Sequence, residues 1–195
     1  MAHLRPLEIN EIDDQEIQAK FQHYADTRGF TPNSIRTMAR RPNIVKAFMA
    51  LNQAVLYEGT VSEELKMLIS LASSLASGCR YCQSHMSNLS SIYNVPDEKI
   101  AAIWEFETSE LFTDAERAAI ALALKAGTLP NEASEEDFDE LKKHFDEGQI
   151  VEIVASVALF GYLNRWNDTM ATQLEELPKE LTKRAVENWD EGKHV

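Results

Sequence analysis

The chain has 195 residues, enough for a sizeable core in one domain, and its 19 basic against 32 acidic side chains give a net charge of −13. That balance argues against nucleic acid or an anionic membrane as a partner, because phosphate binding relies on clustered Lys and Arg. Only 7 Gly and 6 Pro occur, too few turn-makers for an all-β sandwich, and no apolar run approaches the roughly 20 residues of a membrane span.

The predicted elements are helices throughout. Asn10 precedes a helix over Glu11–Arg28, with Ile12, Ile17, Phe21 and Tyr24 at helical spacing and Gly29 as its stop. Thr31-Pro32 opens a short helix to Arg40, and Pro42 starts the next, whose apolar stripe of Ile44, Phe48, Leu51, Val55 and Leu56 ends at Gly59. Ser62 is placed to cap Glu63–Ser77, where almost every position is apolar or small, as in a helix buried on several sides, and Gly78 interrupts it. A second buried helix is predicted from Cys79 to Tyr93, and Pro96 begins another. Thr113-x-x-Glu116 has the form of a capping box ahead of Ala118–Ala126 and Gly127. Ser134 then caps an acidic helix Glu135–Phe145, a long helix runs from about Gln149 to Leu174, and Pro178 starts the last, with Trp189 near its end. Nothing alternates like a strand and no linker separates halves, so one all-α domain over 1–195 is expected.

The sharp chemical signal is Gly78-Cys79-Arg80-Tyr81-Cys82-Gln83-Ser84-His85. At the start of a helix, residues three apart are one turn apart on one face, with Cα atoms roughly 5 Å from each other, inside the window for a disulfide. A helix N-terminus also favours a thiolate. His85, one further turn along, is about 60° around the axis from Cys82 and about 120° from Cys79. Two inert core cysteines with a satisfied histidine would need no chemistry, and a zinc site would need ligands that one helix face does not supply. His3, His23, His144 and His194 stand beside charged or polar residues and are expected to be solvated.

The stretch from Leu65 to Leu89, with Ala-Ser-Gly followed by Cys-Arg-Tyr-Cys-Gln-Ser-His, resembles the core of the AhpD-like, or carboxymuconolactone decarboxylase, family. Phe112-Thr113-Asp114-Ala115-Glu116-Arg117-Ala118 and the run Phe160 to Asp168 resemble later helices of the subset with this cysteine motif, so the likeness spans about residues 40–178. The resemblance implies an AhpD-like helical bundle that assembles into trimers or hexamers. It also implies a peroxidatic role for Cys82 and a resolving role for Cys79, because the lactone decarboxylases lack the pair. The family's relay glutamate falls on Met67 and its usual histidine position on Met86, one residue after His85. A substitute relay is therefore sought among Glu63, Glu64, Glu105, Glu107, Asn164 and Asp168; Glu64, Asn164 and Asp168 are the candidates carried forward.

These readings lead to an expected thiol-dependent peroxidase that reduces hydrogen or organic hydroperoxides with Cys82, Cys79 and His85. A dithiol or protein reductant would recycle it. No flavin, haem or nicotinamide motif occurs, so neither a bound cofactor nor a metal is expected. The N-terminus lacks the apolar stretch of a secretory signal, which suggests the cytoplasm. The contrasting readings are a helical scaffold or redox sensor, and an acid–base enzyme like the lactone decarboxylases. Cys79 is expected to be the outer, exchanging sulfur, either further around a regular helix from His85 than Cys82 is, or freed towards solvent and a bulky reductant if the first helical residues unwind after Gly78.

Overall fold

A computed structural model describes residues 2–186 and 188–195. Its described residues form ten α-helices and two short 3-10 turns, with no strand. In chain order the helices are α1 (Gln15–Arg28), α2 (Asn33–Met38), α3 (Pro42–Leu56), α4 (Glu63–Ser77), α5 (Arg80–Ile92), α6 (Asp97–Ala101), α7 (Asp114–Gly127), α8 (Glu135–Leu141), α9 (Glu147–Met170) and α10 (Glu176–Ala185). The all-α expectation holds among the described residues. None of these helices is long and apolar enough to cross a membrane.

Capping chemistry sets the boundaries. The Ser62 hydroxyl accepts from Leu65 N at 3.3 Å and Gly78 closes α4 with φ 75°, a left-handed conformation in which a Cβ would be strained. Thr113 and Glu116 form the expected capping box of α7. Several boundaries differ from the sequence expectation, and the acidic helix expected to reach Phe145 ends at Leu141. The first helix starts at Gln15 because Asp14 caps it, accepting from Glu16 N and Ile17 N, while Asn10 lies in a 3-10 turn. The long helix ends at Met170, where Ala171 turns left-handed at φ 47°. Its expected last residues instead form the extended segment 172–175. The final helix begins before Pro178 and ends at Ala185, so Trp189 lies beyond it and packs back on α5, its Nε1 donating to Gln83 Oε1 at 3.3 Å.

The core sits around α4, which packs against α5, α7 and α9. Met67, Leu68, Ile69, Leu71 and Ala72 are buried there, and the hydroxyls of the buried Ser70 and Ser74 donate to the carbonyls one turn back, both at 2.7 Å. Lys66 is buried as well. Its ammonium lies 2.8 Å from Glu152 of α9 and donates to the Glu58 carbonyl. Glu152 also accepts from Thr60 N and Val61 N at 2.8 and 3.0 Å, which pins the loop before α4 to the long helix. Gly59 is required in that loop: its φ is 97°, and a Cβ would strike the Glu152 carboxylate.

Candidate active site

The turn at Gly78 sends the chain straight from the core helix α4 into α5. Cys79 is the N-cap of α5 and Cys82 lies in its first turn; both are free thiols, with exposures of 0% and 2%. Cys79 is not freed towards solvent, as unwinding after Gly78 would have made it, and its outer position is corrected to a buried one: the start of α5 is covered by other parts of the chain. Nearly the whole of α5 is buried, polar residues included, so its side chains must find partners inside the protein. Thr182 of α10 supplies one, its hydroxyl donating to Ser84 Oγ at 3.0 Å.

Access and acidity fall on different sulfurs. Cys82 lines a narrow cavity of about 60 Å³, large enough for a few waters or a small organic group. The wall is apolar, with Phe48, Leu56, Met86, Leu89, Phe160 and Leu163, while the half-buried Tyr24, Arg28, Asn52 and Tyr57 sit at its rim. Arg28 is fixed there, donating to the Tyr57 hydroxyl at 2.8 Å with its guanidinium 4.5 Å from the centre of the Tyr24 ring. Burial pushes the Cys82 thiol up, and the neighbouring Cys79 sulfur adds to this, against a hydrogen bond from Asn167 Nδ2 at 3.4 Å. Cys79 is not part of the cavity lining, yet its thiol is held below the usual range. The hydrogen bond from Cys82 is the main cause, with further lowering by His194 and by the Cys82 backbone N–H. Of the two sulfurs, Cys79, at the helix N-terminus, is therefore the one whose thiolate is favoured.

His85 lines the same cavity as Cys82 and is oriented from behind. Its Nε2–H donates to Glu175 Oε2 at 2.7 Å, the two side chains being 11% and 10% exposed. A carboxylate only accepts, so in the neutral ring the lone pair is on Nδ1. Tyr81 stacks on the ring at 4.3 Å between centroids, and Phe30 meets it edge-on at 5.4 Å. The Tyr81 hydroxyl donates to Glu175 Oε1 at 2.9 Å and accepts from Ser34 N at 3.2 Å; Asn33 N donates to Glu175 as well. Burial alone would raise the Glu175 carboxyl. The charge and hydrogen bond of His85, with the backbone donors, outweigh it and hold the carboxyl below its ordinary value.

Glu175 was not among the carboxylates expected to replace the family glutamate. It reaches the site because α9 stops at Met170, letting 172–175 cross to α2 and α5. In the sequence, Glu175-Glu176 before a proline reads as an ordinary acidic helix start. Of the residues that were expected, Glu64 is exposed on the first turn of α4 and does not line the cavity. Asn164 is buried but donates to Ser73 O at 3.4 Å and faces a separate cavity between α4, α7 and α9. Asp168 borders that second cavity and pairs with Lys193 at 2.7 Å; its neighbour Asn167 is the α9 residue that touches Cys82. Met67 is fully buried in the core. His194, expected in solvent, is 1% exposed and its Nδ1–H donates to Thr172 O at 2.9 Å. Among the described residues no three His, Cys, Asp or Glu side chains gather as a metal site would need.

Comparison with known proteins places this geometry. The model of the carboxymuconolactone decarboxylase family matches residues 42–125, which contain both cysteines and His85. The debrominase Bmp8 superposes with a TM-score of 0.85 at 35% identity, over 93% of this chain and 96% of that one. It has been solved in the apo form and, as a cysteine-to-alanine variant, in complex with 2,3,4-tribromopyrrole. A peroxidase-related protein from Ralstonia eutropha JMP134, an alkylhydroperoxidase AhpD core, gives a TM-score of 0.81 at 25% identity, over 91% of this chain and 94% of that one. A peroxidase-related protein from Silicibacter sp. TM1040 shares the fold at 18% identity, with a TM-score of 0.78 over 89% of this chain and 93% of that one. No curated protein sequence matches the chain. On the shared fold, the matched segment and the nearly full-length relationship to Bmp8, the chain belongs to the carboxymuconolactone decarboxylase family.

Proposed function

We propose that this protein is a dithiol-dependent reductase of hydroperoxides, in which Cys82 meets the substrate and Cys79 closes a disulfide upon it. The observation that carries the reading is the division of labour on α5: Cys82 opens on an apolar cavity beside a carboxylate-held histidine, and Cys79 lies behind it in hydrogen-bond contact. In the first step the Cys82 sulfur attacks the distal peroxide oxygen and the O–O bond breaks. The proton of the Cys82 thiol passes through His85 Nδ1 to the departing alkoxide, leaving an alcohol and a sulfenic acid at Cys82. In the second, Cys79 attacks the Cys82 sulfur, the S–O bond breaks, and the expelled hydroxide leaves as water with the Cys79 proton. Both electrons come from the thiol pair, and an external dithiol restores it. Steady-state reduction of cumene hydroperoxide with dithiothreitol tests the reading. Activity is expected in the wild type and absent in Cys82→Ser; full activity in Cys82→Ser would refute it.

The aromatic and aliphatic cavity wall and the similarity to Bmp8 favour a second reading, reductive removal of a halogen from an aromatic ring. Cys82 would take the halogen from carbon, the ring carbon would gain a proton, and Cys79 would displace halide to give the same disulfide. Halide release from a brominated pyrrole, compared with hydroperoxide turnover by the same preparation, separates the two substrates. The family resemblance also supports a homo-oligomer, a trimer or a hexamer.

A further inference from the structure

The cysteine pair has a second histidine, which the proposed mechanism so far leaves unused. His194 comes from the segment after α10 and is buried, although its surroundings in the sequence are polar. The Thr172 carbonyl accepts from its Nδ1–H at 2.9 Å, which leaves the lone pair of the neutral ring on Nε2. That atom is shut off from solvent and has no formed hydrogen bond. His194 is one of the side chains that draw the Cys79 thiol down, by hydrogen bonding and by charge, which puts the two groups within reach of each other. Asp168 Oδ1 is 3.9 Å from Nε2. The segment is held at both ends of the histidine's neighbourhood: Leu174 N donates to the His194 carbonyl at 2.9 Å, and Lys193 pairs with Asp168 at 2.7 Å. A buried imidazole nitrogen without a partner costs free energy, so this arrangement calls for a proton to share.

We propose that His194 is the base of Cys79, holding its proton so that this sulfur closes on Cys82 as a thiolate, and returning that proton to the group expelled from Cys82. The inference rests on the reading above for how Cys82 becomes oxidised. The balance is complete: the S–S bond forms, the S–O bond of the sulfenic acid breaks, and the proton held on His194 converts the leaving hydroxide to water. His85 and His194 then serve different sulfurs, one on the cavity side and one behind it. The other titratable groups around His194 are Cys82 and Tyr81 on α5, with the Tyr81 ring at 5.9 Å, and Asp168 on α9 with its Lys193 partner. Glu191, whose carbonyl accepts from His194 N, has its carboxylate bound to Lys179 and Lys183 at 3.0 and 2.9 Å.

Closure of the disulfide in His194→Gln tests the proposal, followed by mass spectrometry at pH 7 and pH 9 with one equivalent of hydrogen peroxide and, separately, with diamide. Glutamine fills the site but cannot carry the proton. Closure at pH 7 should slow about tenfold or more with both oxidants, peroxide-treated variant should accumulate sulfenic acid at Cys82, and raising the pH to 9 should restore closure. The first oxidation of Cys82, measured in Cys79→Ser with and without His194→Gln, should be unchanged. Wild-type closure rates in His194→Gln at pH 7, or equal slowing at both pH values, would overturn the proposal. Should peroxide leave wild-type Cys82 untouched, the peroxidase reading fails, and the diamide reaction still decides the role of His194.

Discussion

At the residue scale the site separates reach from charge. Cys82 lines the cavity and burial favours its thiol, whereas Cys79 lies outside the cavity lining and its thiolate is favoured. Two histidines accompany the pair, each with one ring nitrogen committed to an oxygen acceptor: Glu175 for His85 and the Thr172 carbonyl for His194. The role of Glu175 can be tested without emptying the space it fills. In Glu175→Gln the amide oxygen can still accept from Tyr81 and Asn33, but its NH2 group then meets His85 Nε2. The imidazole proton must move to Nδ1, so the nitrogen left for Cys82 becomes a donor. Hydroperoxide turnover should fall by about a hundredfold while the protein remains folded. Unchanged steady-state turnover would remove the Glu175–His85 pair from the chemistry. The sequence made Cys79, Cys82 and His85 legible because they are contiguous on one helix. It hid Glu175 and His194, which arrive from distant segments as ordinary polar residues with no local pattern to mark them.

At the scale of elements, the caps of α4 and α7 were readable to the residue, whereas Asp14, the cap of α1, was passed over for Asn10. Ser62 and Gly78 bound α4, and Thr113 with Glu116 opens α7. Where tertiary contacts decide, the reading failed: Ala171 ends α9 without the glycine that would announce it, and the segment that delivers Glu175 was absorbed into the helix. The α4–α9 contact offers a test of how the core is held. Burial would raise the Glu152 carboxyl, yet Lys66 and the Thr60 and Val61 backbone donors bring it down from 4.5 to about 2. A depressed carboxylate contributes stability that is present above its unfolded value and lost as pH falls through its folded one. Urea midpoints should therefore hold near neutrality and decline between about pH 4.5 and 2 through this group. Glu152→Gln should flatten part of that decline and cost about 3–5 kcal/mol at pH 7, because Lys66 is left charged, buried and unpaired. A midpoint at pH 7 equal to wild type would show that the pair does not hold α4 to α9.

At the scale of the whole molecule, the broad apolar helix faces expected from the sequence do not all end inside the core. Ile44 and Leu51 on α3 and Val151, Val154 and Tyr162 on α9 remain exposed, and α3 and Tyr162 border one shallow apolar groove. Exposed apolar faces of this kind fit the proposed homo-oligomer. Sedimentation velocity at micromolar concentration should show a species well above 22.1 kDa; a single species of that mass would contradict it. The all-α architecture itself was legible from end to end, since few glycines and prolines and continuous 3.6-residue periodicity leave no alternative class.

The claim at the centre of the account is that Cys82 and Cys79 act together as a two-electron reductant. Mass spectrometry of the fully reduced protein after one equivalent of organic hydroperoxide tests it directly, run beside Cys79→Ser and Cys82→Ser. The wild type should lose two hydrogens and yield a single peptide pair joined through Cys79 and Cys82. Cys79→Ser should gain one oxygen at Cys82, and Cys82→Ser should react slowly. An unmodified wild-type protein, or faster oxidation of Cys79 in Cys82→Ser than of Cys82 in Cys79→Ser, would contradict it.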